Sequence, residues 1–561
     1  MDLNVVIAGE AGQGLKTVED ILNKTLFEMG YDIYSTKDYM SRVRGGHNFM
    51  SIRFGDERLT GPAQKEDILI ALNEESIKVH RDLVVEEGII IYDGEVEVDN
   101  KELLSVAASD IAQELGNPKV ANTVFIGALL KALGLYLKTT EEVLKEYFDN
   151  EKIININLQA LRKGYEQVEK KISLPFVNKG GQILINGNQA LGLGAISAGV
   201  KFYAGYPMTP STGVMNYIAS KQEELGIVVE QAEDEIAAIN MALGASYTGV
   251  RAMTGTSGGG FALMSEGLGL AGITETPLII AEVQRPGPAT GLPTRTEQAD
   301  LQFVINASQG EFPLIVATPR SVEDCFYQTF RSFNLADKYQ LPVVVLSDQF
   351  LADSTMNVIR FSHRALDIQR KLINEEEAEN INNYQRYKLT EDGISPRAYP
   401  GQLEDQVVLV DSDEHDQFGN IIEDAETRIK MVDKRAQKMK TITKEESLEP
   451  EFAGENEIDY LIVCWGSTYG PALEAQKRLA ADDYAVGLLS FNYVWPFPTE
   501  KLNKYAPGTK IVVVEGNSTA QFASLLESES DFTSHHNILK YDGRPFTGTE
   551  IYNRFIKEVI K

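Results

Sequence analysis

Short apolar runs of strand length, each followed by a turn and an amphipathic helical pattern, recur along this chain in three blocks. That alternation leaves few folds open, because strands separated by helices pair into open sheets with helices packed on them. The first block, residues 1 to about 175, begins with an apolar strand, a glycine-rich turn and a helix. LQALRKGYEQVEKKI reads as its closing polar helix and SLPFVNKGG as a linker. The second runs from about Gln182 to Asp353 and carries the strands KFYAGYP, RAMTGTS, PLIIAEV, FPLIVAT and PVVVLSD. The third, from about Asp459 to Lys561, carries YLIVCWGS, YAVGLLSF and KIVVVEG. Between them, from about Asn357 to Ala453, the sequence is charged and poor in strands, and it reads as an extended connection with one exposed helix rather than a domain with its own core. A chain of 561 residues exceeds one hydrophobic core. The expected class is α/β, divided near 1–178, 179–356, 357–455 and 456–561.

Charge removes several functions. The formal net charge of −29 argues against nucleic acid, which is bound through clustered Lys and Arg, and against an anionic membrane surface. The longest apolar runs, Gly88 to Tyr92 and Leu341 to Leu346, have the length of strands rather than of membrane spans. The opening MDLNVVIAGEAGQG lacks a basic region followed by an apolar stretch, so no secretory signal is expected and the protein is read as cytoplasmic. Two cysteines, Cys325 and Cys464, lie far apart without ligand-like spacing. They suit a reducing compartment and are too few for a four-thiolate iron–sulfur cluster.

The densest chemistry lies in QAEDEIAAINMALGASYTGVRAMTGTSGGG, Gln231 to Gly260. Ile236, Ile239 and Leu243 are spaced for one buried helix face, with Glu235 in the first turn, where the helix dipole favours a carboxylate. A strand then delivers Thr256, Ser257, Gly258 and Gly260 as a glycine-rich turn. GYPMTPST, Gly205 to Thr212, is a turn stiffened by Pro207 and Pro210 that holds the Thr209 hydroxyl ready. VQRPGPATGLPTRTEQADL, Val283 to Leu301, carries Arg285 and Arg295; a guanidinium offers a carboxylate two parallel donors, which lysine cannot. In the first block, GEAGQG (Gly9 to Gly14) and RVRGGHN (Arg42 to Asn48) contain glycine-rich turns of the kind that present backbone N–H groups to phosphates.

These segments resemble those of the 2-oxoacid:ferredoxin oxidoreductases of the 2-oxoglutarate type, in the form of a fused gamma–alpha subunit. Glu235 followed by the TSGG turn is similar to the pyrimidine-binding domain of thiamine diphosphate enzymes; GYPMTPST resembles YPITPS, with Met208 in place of isoleucine, and QRPGPATGLPTRTEQ resembles QRgGPSTGlPTkTEQ. The resemblance implies an open Rossmann-like gamma domain, a pyrimidine-binding α/β domain and a small transketolase C-terminal-like α/β domain, the last packed between subunits. It implies CoA-dependent oxidative decarboxylation of a 2-oxoacid, 2-oxoglutarate or a broad range, to acyl-CoA and CO2 with one-electron transfer to ferredoxin. Glu235, Arg285 and Thr209 would be the catalytic residues, and Tyr206, Thr209, Arg285 and Arg295 would bind substrate. Glu235, Thr256, Ser257 and Gly258 would meet thiamine diphosphate, and Gly12, Gly14 and Arg44 coenzyme A. A carboxylate at position 235 suits the task, since its hydrogen bond to N1′ of the aminopyrimidine favours the imino tautomer. Mg²⁺ and a [4Fe–4S] cluster are expected on a beta subunit, in an (alpha-beta)2 heterotetramer.

Two other classes compete. Gly255 to Gly259 satisfies GxSxG, with Asp348 or Asp353 and then His363 in the chain order of an α/β-hydrolase using Ser257. His363, however, sits in a charged stretch, RFSHRALD, and no HGGG-type oxyanion loop is present. A non-catalytic assembly subunit fits charge and length equally well, but not the simultaneous presence of Glu235, Thr209 and Arg285.

Overall fold

The structure, a computed structural model, describes residues 1–41, 45–177, 179–362, 364 and 366–561. Arg44 and His363, singled out above, lie outside the described residues. The chain forms two compact units. Unit 1 comprises essentially residues 1–185 and the returning segment 354–360. Its sheet contains β1 (Asp2–Glu10), β2 (Asp32–Asp38), β3 (His47–Gly55), β4 (Glu66–Ala71), β5 (Val84–Tyr92), β6 (Glu102–Ser105), β7 (Gln182–Asn186) and β14 (Thr355–Ile359). They lie in the order β6-β5-β4-β1-β3-β2-β14-β7, with β1 parallel to β4 and antiparallel to β3. Ile7, Ile52, Ile70 and Ile91 face a core closed by the helices Leu15–Glu28, Ala121–Ala132 and Glu151–Glu166. This last helix, expected to be merely polar, buries Asn157, Ala160, Leu161 and Gly164.

Unit 2 carries two sheets. The larger runs β18-β12-β13-β11-β10-β8-β9, from β8 (Val200–Gly205), β9 (Val228–Gln231), β10 (Arg251–Thr256), β11 (Leu278–Gln284), β12 (Ile315–Ala317), β13 (Pro342–Asp348) and β18 (Tyr493–Trp495). Every residue of β10, β11 and β13 is buried, as in a parallel sheet covered on both faces. The smaller runs β15-β17-β16-β19-β20, from β15 (Glu451–Ala453), β16 (Tyr460–Trp465), β17 (Val486–Phe491), β19 (Lys510–Glu515) and β20 (His536–Leu539). Through β18, which pairs antiparallel with β12, the C-terminal segment joins the edge of the larger sheet. One hydrophobic core runs through both, including Ile280, Val316 and Val344 from one sheet and Val463, Leu489 and Val513 from the other. No helix among the described residues is long and apolar enough to cross a membrane.

Two expectations are corrected here. Ile236 does not share the buried face of its helix: Ile239 and Leu243 are buried but Ile236 is 50% exposed, and Glu235, Ala238 and Ala242 take the inner positions instead. The connecting segment is no exposed tether either. It has a small core of Ile373, Tyr384, Ala398, Leu403 and Val408, and its helix Ala425–Glu445 buries Lys434, Arg435 and Lys438. The physical reason is charge pairing across a long stretch of chain. Lys434 and Lys438, one turn apart, both reach the buried Glu275, at 2.6 and 2.5 Å, and hold its carboxyl well below the usual range. A second hub, buried Asp337, takes Arg251, Arg370 and Arg397 at 2.8, 3.1 and 3.2 Å. Replacing Glu275 by Gln would leave two facing ammonium groups in the interior. Glu275→Gln is therefore expected to destabilise unit 2 by roughly 3–5 kcal/mol, read as a lower urea midpoint and faster proteolysis within residues 361–450.

Candidate active site

Four neighbouring parallel strands, β11, β10, β8 and β9, end on the same edge of the larger sheet, and each delivers one of the segments singled out in the sequence. β11 leads into Arg285, β10 into Thr256–Gly260, β8 into Tyr206–Thr209, and β9 into Glu235. The carboxyl ends of strands in open α/β sheets form a crevice for ligands.

Glu235 opens the helix Glu235–Tyr247, capped by Asp234, whose side chain accepts from the Ala237 N–H at 2.7 Å. Its carboxyl is 2% exposed, and Oε1 is buried without a hydrogen-bond partner. Burial, followed by the neighbouring Asp234, raises its pKa above the ordinary range. Such a group retains a proton or seeks a donor. Gly260 is what lets the turn come so near: a Cβ there would stand 2.4 Å from Glu235 Oε1 and 2.1 Å from Thr256 Oγ1. Thr256 Oγ1 donates to Ser257 O at 3.3 Å and lies 3.9 Å from Met208 Sδ. Arg285 Nη1 donates to the Thr209 carbonyl at 2.5 Å. Partial burial pulls the Arg285 pKa down, with Asp300 opposing the shift.

The fold thus brings together Glu235, Thr256, Met208, Thr209 and Arg285, residues from three separate motifs. Tyr206 stands beside them, 41% exposed. Ser257 Oγ is buried and unpartnered, and Gly258 packs against Asp300, whose Oδ2 would be 2.4 Å from a Cβ at that position. Arg295 is placed against the C-terminal segment: Thr296 N–H donates to the Gly543 carbonyl, and the Arg295 Cβ would touch a Cβ on Gly543. The whole loop is fastened there through Gln298. Its N–H donates to Gly516 O, its side chain donates to Trp465 O, and its Oε1 accepts from Gly516 N–H. Asp348, at the end of β13, accepts from Thr296 Oγ1, Leu351 N–H and Ser467 Oγ. It is therefore a fastening for loops and no partner of Ser257.

In unit 1, Gly12 (φ +97°) and Gly14 (φ +80°) shape the turn before the helix Leu15–Glu28. The turn is closed by Gln13 Oε1 on Glu10 N–H and by Asn122 Nδ2 on Gln13 O. It lines a cleft of 720 Å³ together with Asn117, Lys119 and Asn122. Residues missed by the sequence reading are Glu282, Asp300 and Gln298, and Asp348 was considered only as a hydrolase acid; the one legible sign was an acid inside the apolar run PLIIAEV.

Comparison with known proteins shows the family to which the chain is similar. Residues 193–434 match the family described as pyruvate flavodoxin/ferredoxin oxidoreductase, thiamine diphosphate-binding. Residues 4–167 match pyruvate ferredoxin/flavodoxin oxidoreductase, and residues 458–549 match pyruvate:ferredoxin oxidoreductase core domain II. The alpha subunit of a 2-oxoacid:ferredoxin oxidoreductase from Sulfolobus sp is 34% identical over an alignment covering 100% of this chain and 97% of the relative. The 2-oxoglutarate synthase subunit KorA of Archaeoglobus fulgidus is 34% identical over 61% of this chain and 90% of its own. A 2-oxoglutarate:ferredoxin oxidoreductase from Magnetococcus marinus, solved with 2-oxoglutarate, coenzyme A and succinyl-CoA bound, superposes with a TM-score of 0.93 at 33% identity, each chain covered in full. Similar to such relatives along its whole length, the chain belongs to the alpha-subunit family of the 2-oxoacid:ferredoxin oxidoreductases.

Proposed function

We propose that this chain provides the aminopyrimidine side of a thiamine diphosphate site and the carboxylate clamp for a 2-oxoacid, within a CoA-dependent 2-oxoacid:ferredoxin oxidoreductase. The observation that carries the reading is the orphaned, buried Oε1 of Glu235, held against the Thr256–Gly260 turn by the absence of a side chain at Gly260. An aminopyrimidine fits: its N1′ would give that oxygen the partner it lacks. When bound, the coenzyme supplies a nucleophilic carbon and an electron sink for decarboxylation. Glu235, with its raised pKa, holds and returns one proton at the ring nitrogen. Arg285 presents its guanidinium to the substrate carboxylate, its own orientation fixed by the Thr209 carbonyl. Thr209 and Tyr206 border the same space, and Thr256, Ser257 and Gly258 form the wall that excludes water. A GxSxG hydrolase does not fit, since Ser257 Oγ is sealed and has no partner.

Coenzyme A is assigned to the cleft around Gly12 and Gly14, and Arg44, outside the described residues, is assigned to it from the RVRGG motif alone. A dicarboxylic 2-oxoacid, with Arg295 at the rim, is the substrate favoured by the likeness to the 2-oxoglutarate enzyme. With two buried cysteines in the chain, the iron–sulfur cluster is assigned to a beta subunit, as is the Mg²⁺-diphosphate site. That subunit would also receive ferredoxin, because a net charge of −29 repels an acidic carrier. The assembly is taken as an (alpha-beta)2 heterotetramer in the cytoplasm.

Three measurements on the complex assembled with its beta subunit test this. Glu235→Gln is expected to lower 2-oxoacid turnover about 10²–10⁴-fold, assayed with a low-potential electron acceptor; unchanged turnover rejects the reading. Arg285→Lys is expected to raise KM for the 2-oxoacid roughly tenfold to a hundredfold while kcat changes less, the ~1.5–3 kcal/mol of one charge-assisted bond. Gly260→Ala forces Glu235 and Thr256 apart and is expected to weaken thiamine diphosphate binding by roughly 1–3 kcal/mol, read by titration of the complex with the coenzyme.

A further inference from the structure

Behind the wall of the site lies a pair of acids that the reaction scheme above does not use. Glu282 is the fifth residue of β11, 0% exposed, and stands across the ladder from Thr256. The Asp300 carboxyl is its neighbour, and the two can share a hydrogen bond only when one of them carries a proton. Apart from each other, neither oxygen of Glu282 nor Oδ2 of Asp300 has a hydrogen-bond partner among the described residues. Asp300 is anchored: its N–H donates to Gln284 Oε1 at 3.0 Å, one residue before Arg285, and its Oδ2 lies where only a glycine fits at position 258, 2.4 Å from where a Cβ would stand. It therefore touches the cofactor-side turn and stands in the field of the substrate-side guanidinium. Two carboxylates in contact, with no cation between them, cannot both be ionised inside a protein.

We propose that Glu282 and Asp300 hold a single proton between them, and that this acid pair is a positioning device which keeps an anionic Asp300 against both Arg285 and the Gly258 turn. It rests on the function proposed above. The proton on Glu282 satisfies Asp300 without cancelling its charge, and the remaining negative charge faces Arg285. The titratable and charged groups around the pair are Arg285, Asp348 and Glu297. Burial lifts both acids, Asp300 to about 6 and Glu282 well above its ordinary value, the proximity of the pair adding to the latter. The two steps belong to the pair rather than to either residue. Between them the pair carries one charge. Below the lower step it is neutral, and above the upper one two carboxylates repel each other behind the turn. Because the folded values lie above the unfolded ones, stability is greatest at low pH and falls as pH rises through each step.

Glu282→Gln provides a permanent amide donor to Asp300 and removes the upper step; Asp300→Asn removes the charge. In the assembled complex, Glu282→Gln is expected to keep turnover near neutral pH while moving the alkaline limb of kcat/KM up by at least about one unit. Asp300→Asn is expected to raise KM for the 2-oxoacid roughly tenfold, with a smaller change in kcat, and to erase the acid limb near pH 6. A merely structural pair would lower stability in both variants and leave the pH profiles superimposed on that of the unsubstituted enzyme, which overturns the proposal. If the unsubstituted complex turns over no 2-oxoacid, the proposed function falls, and the pair is judged by melting temperature against pH. Glu282→Gln must then abolish the alkaline loss of stability seen in the parent chain, and parallel curves overturn the proposal.

Discussion

A carboxylate deprived of water is the constraint around which this protein is arranged. An acid with an unpartnered buried oxygen is costly to keep, and the fold tolerates Glu235 there because the helix it opens is fixed by its Asp234 cap and by small residues on its inner face. The same dryness that raises its affinity for a proton makes a hydrogen bond to an incoming ring nitrogen strong. Gly260 belongs to this constraint, since any side chain there would occupy the space the carboxylate and Thr256 share.

Rigidity around that point comes from an unexpected direction. The loop carrying Arg285 and Arg295 runs over the C-terminal segment, where Gln298 bonds to the ends of β16 and β19 and Asp348 gathers Thr296 and Ser467. The C-terminal sheet, expected to pack between subunits, fastens the loop that carries Arg285 and Arg295 within its own chain. The charged segment between them performs a similar service at the far side of the larger sheet through Glu275 and Asp337. Ion pairs of this depth are strong fixings once both partners are present and severe liabilities when one is lost.

Much of this was legible. The strands KFYAGYP, RAMTGTS, PLIIAEV, FPLIVAT and PVVVLSD are β8, β10, β11, β12 and β13, because continuous apolar runs bounded by glycine and proline have few other uses. The motifs carrying Glu235, Thr209 and Arg285 were legible too as turns following strands, and the fold brings all three to one edge of the sheet. The helix Ala425–Glu445 was misread because periodicity methods count lysine as solvated, and the acid that buries Lys434 and Lys438 is far away in sequence. Ile236 was misread for a related reason: the inner face of its helix is lined with alanine and Glu235, which a search for large apolar residues passes over. Asp300 gave no sign because its partner, Glu282, becomes visible only when β11 is set in the sheet.

The amino-acid sequence alone determined the α/β class, the strands and the turns that follow them, because these follow from local spacing and side-chain type. Which strands lie side by side was decided only by the tertiary structure. The order β11-β10-β8-β9 is not the order of the chain, and it alone brings Arg285, Thr256, Thr209 and Glu235 to one edge. Strand order, the pairing of buried charges and the meeting of Glu282 with Asp300 depend on contacts between distant residues, and local sequence carries no record of which distant partner will satisfy a buried group.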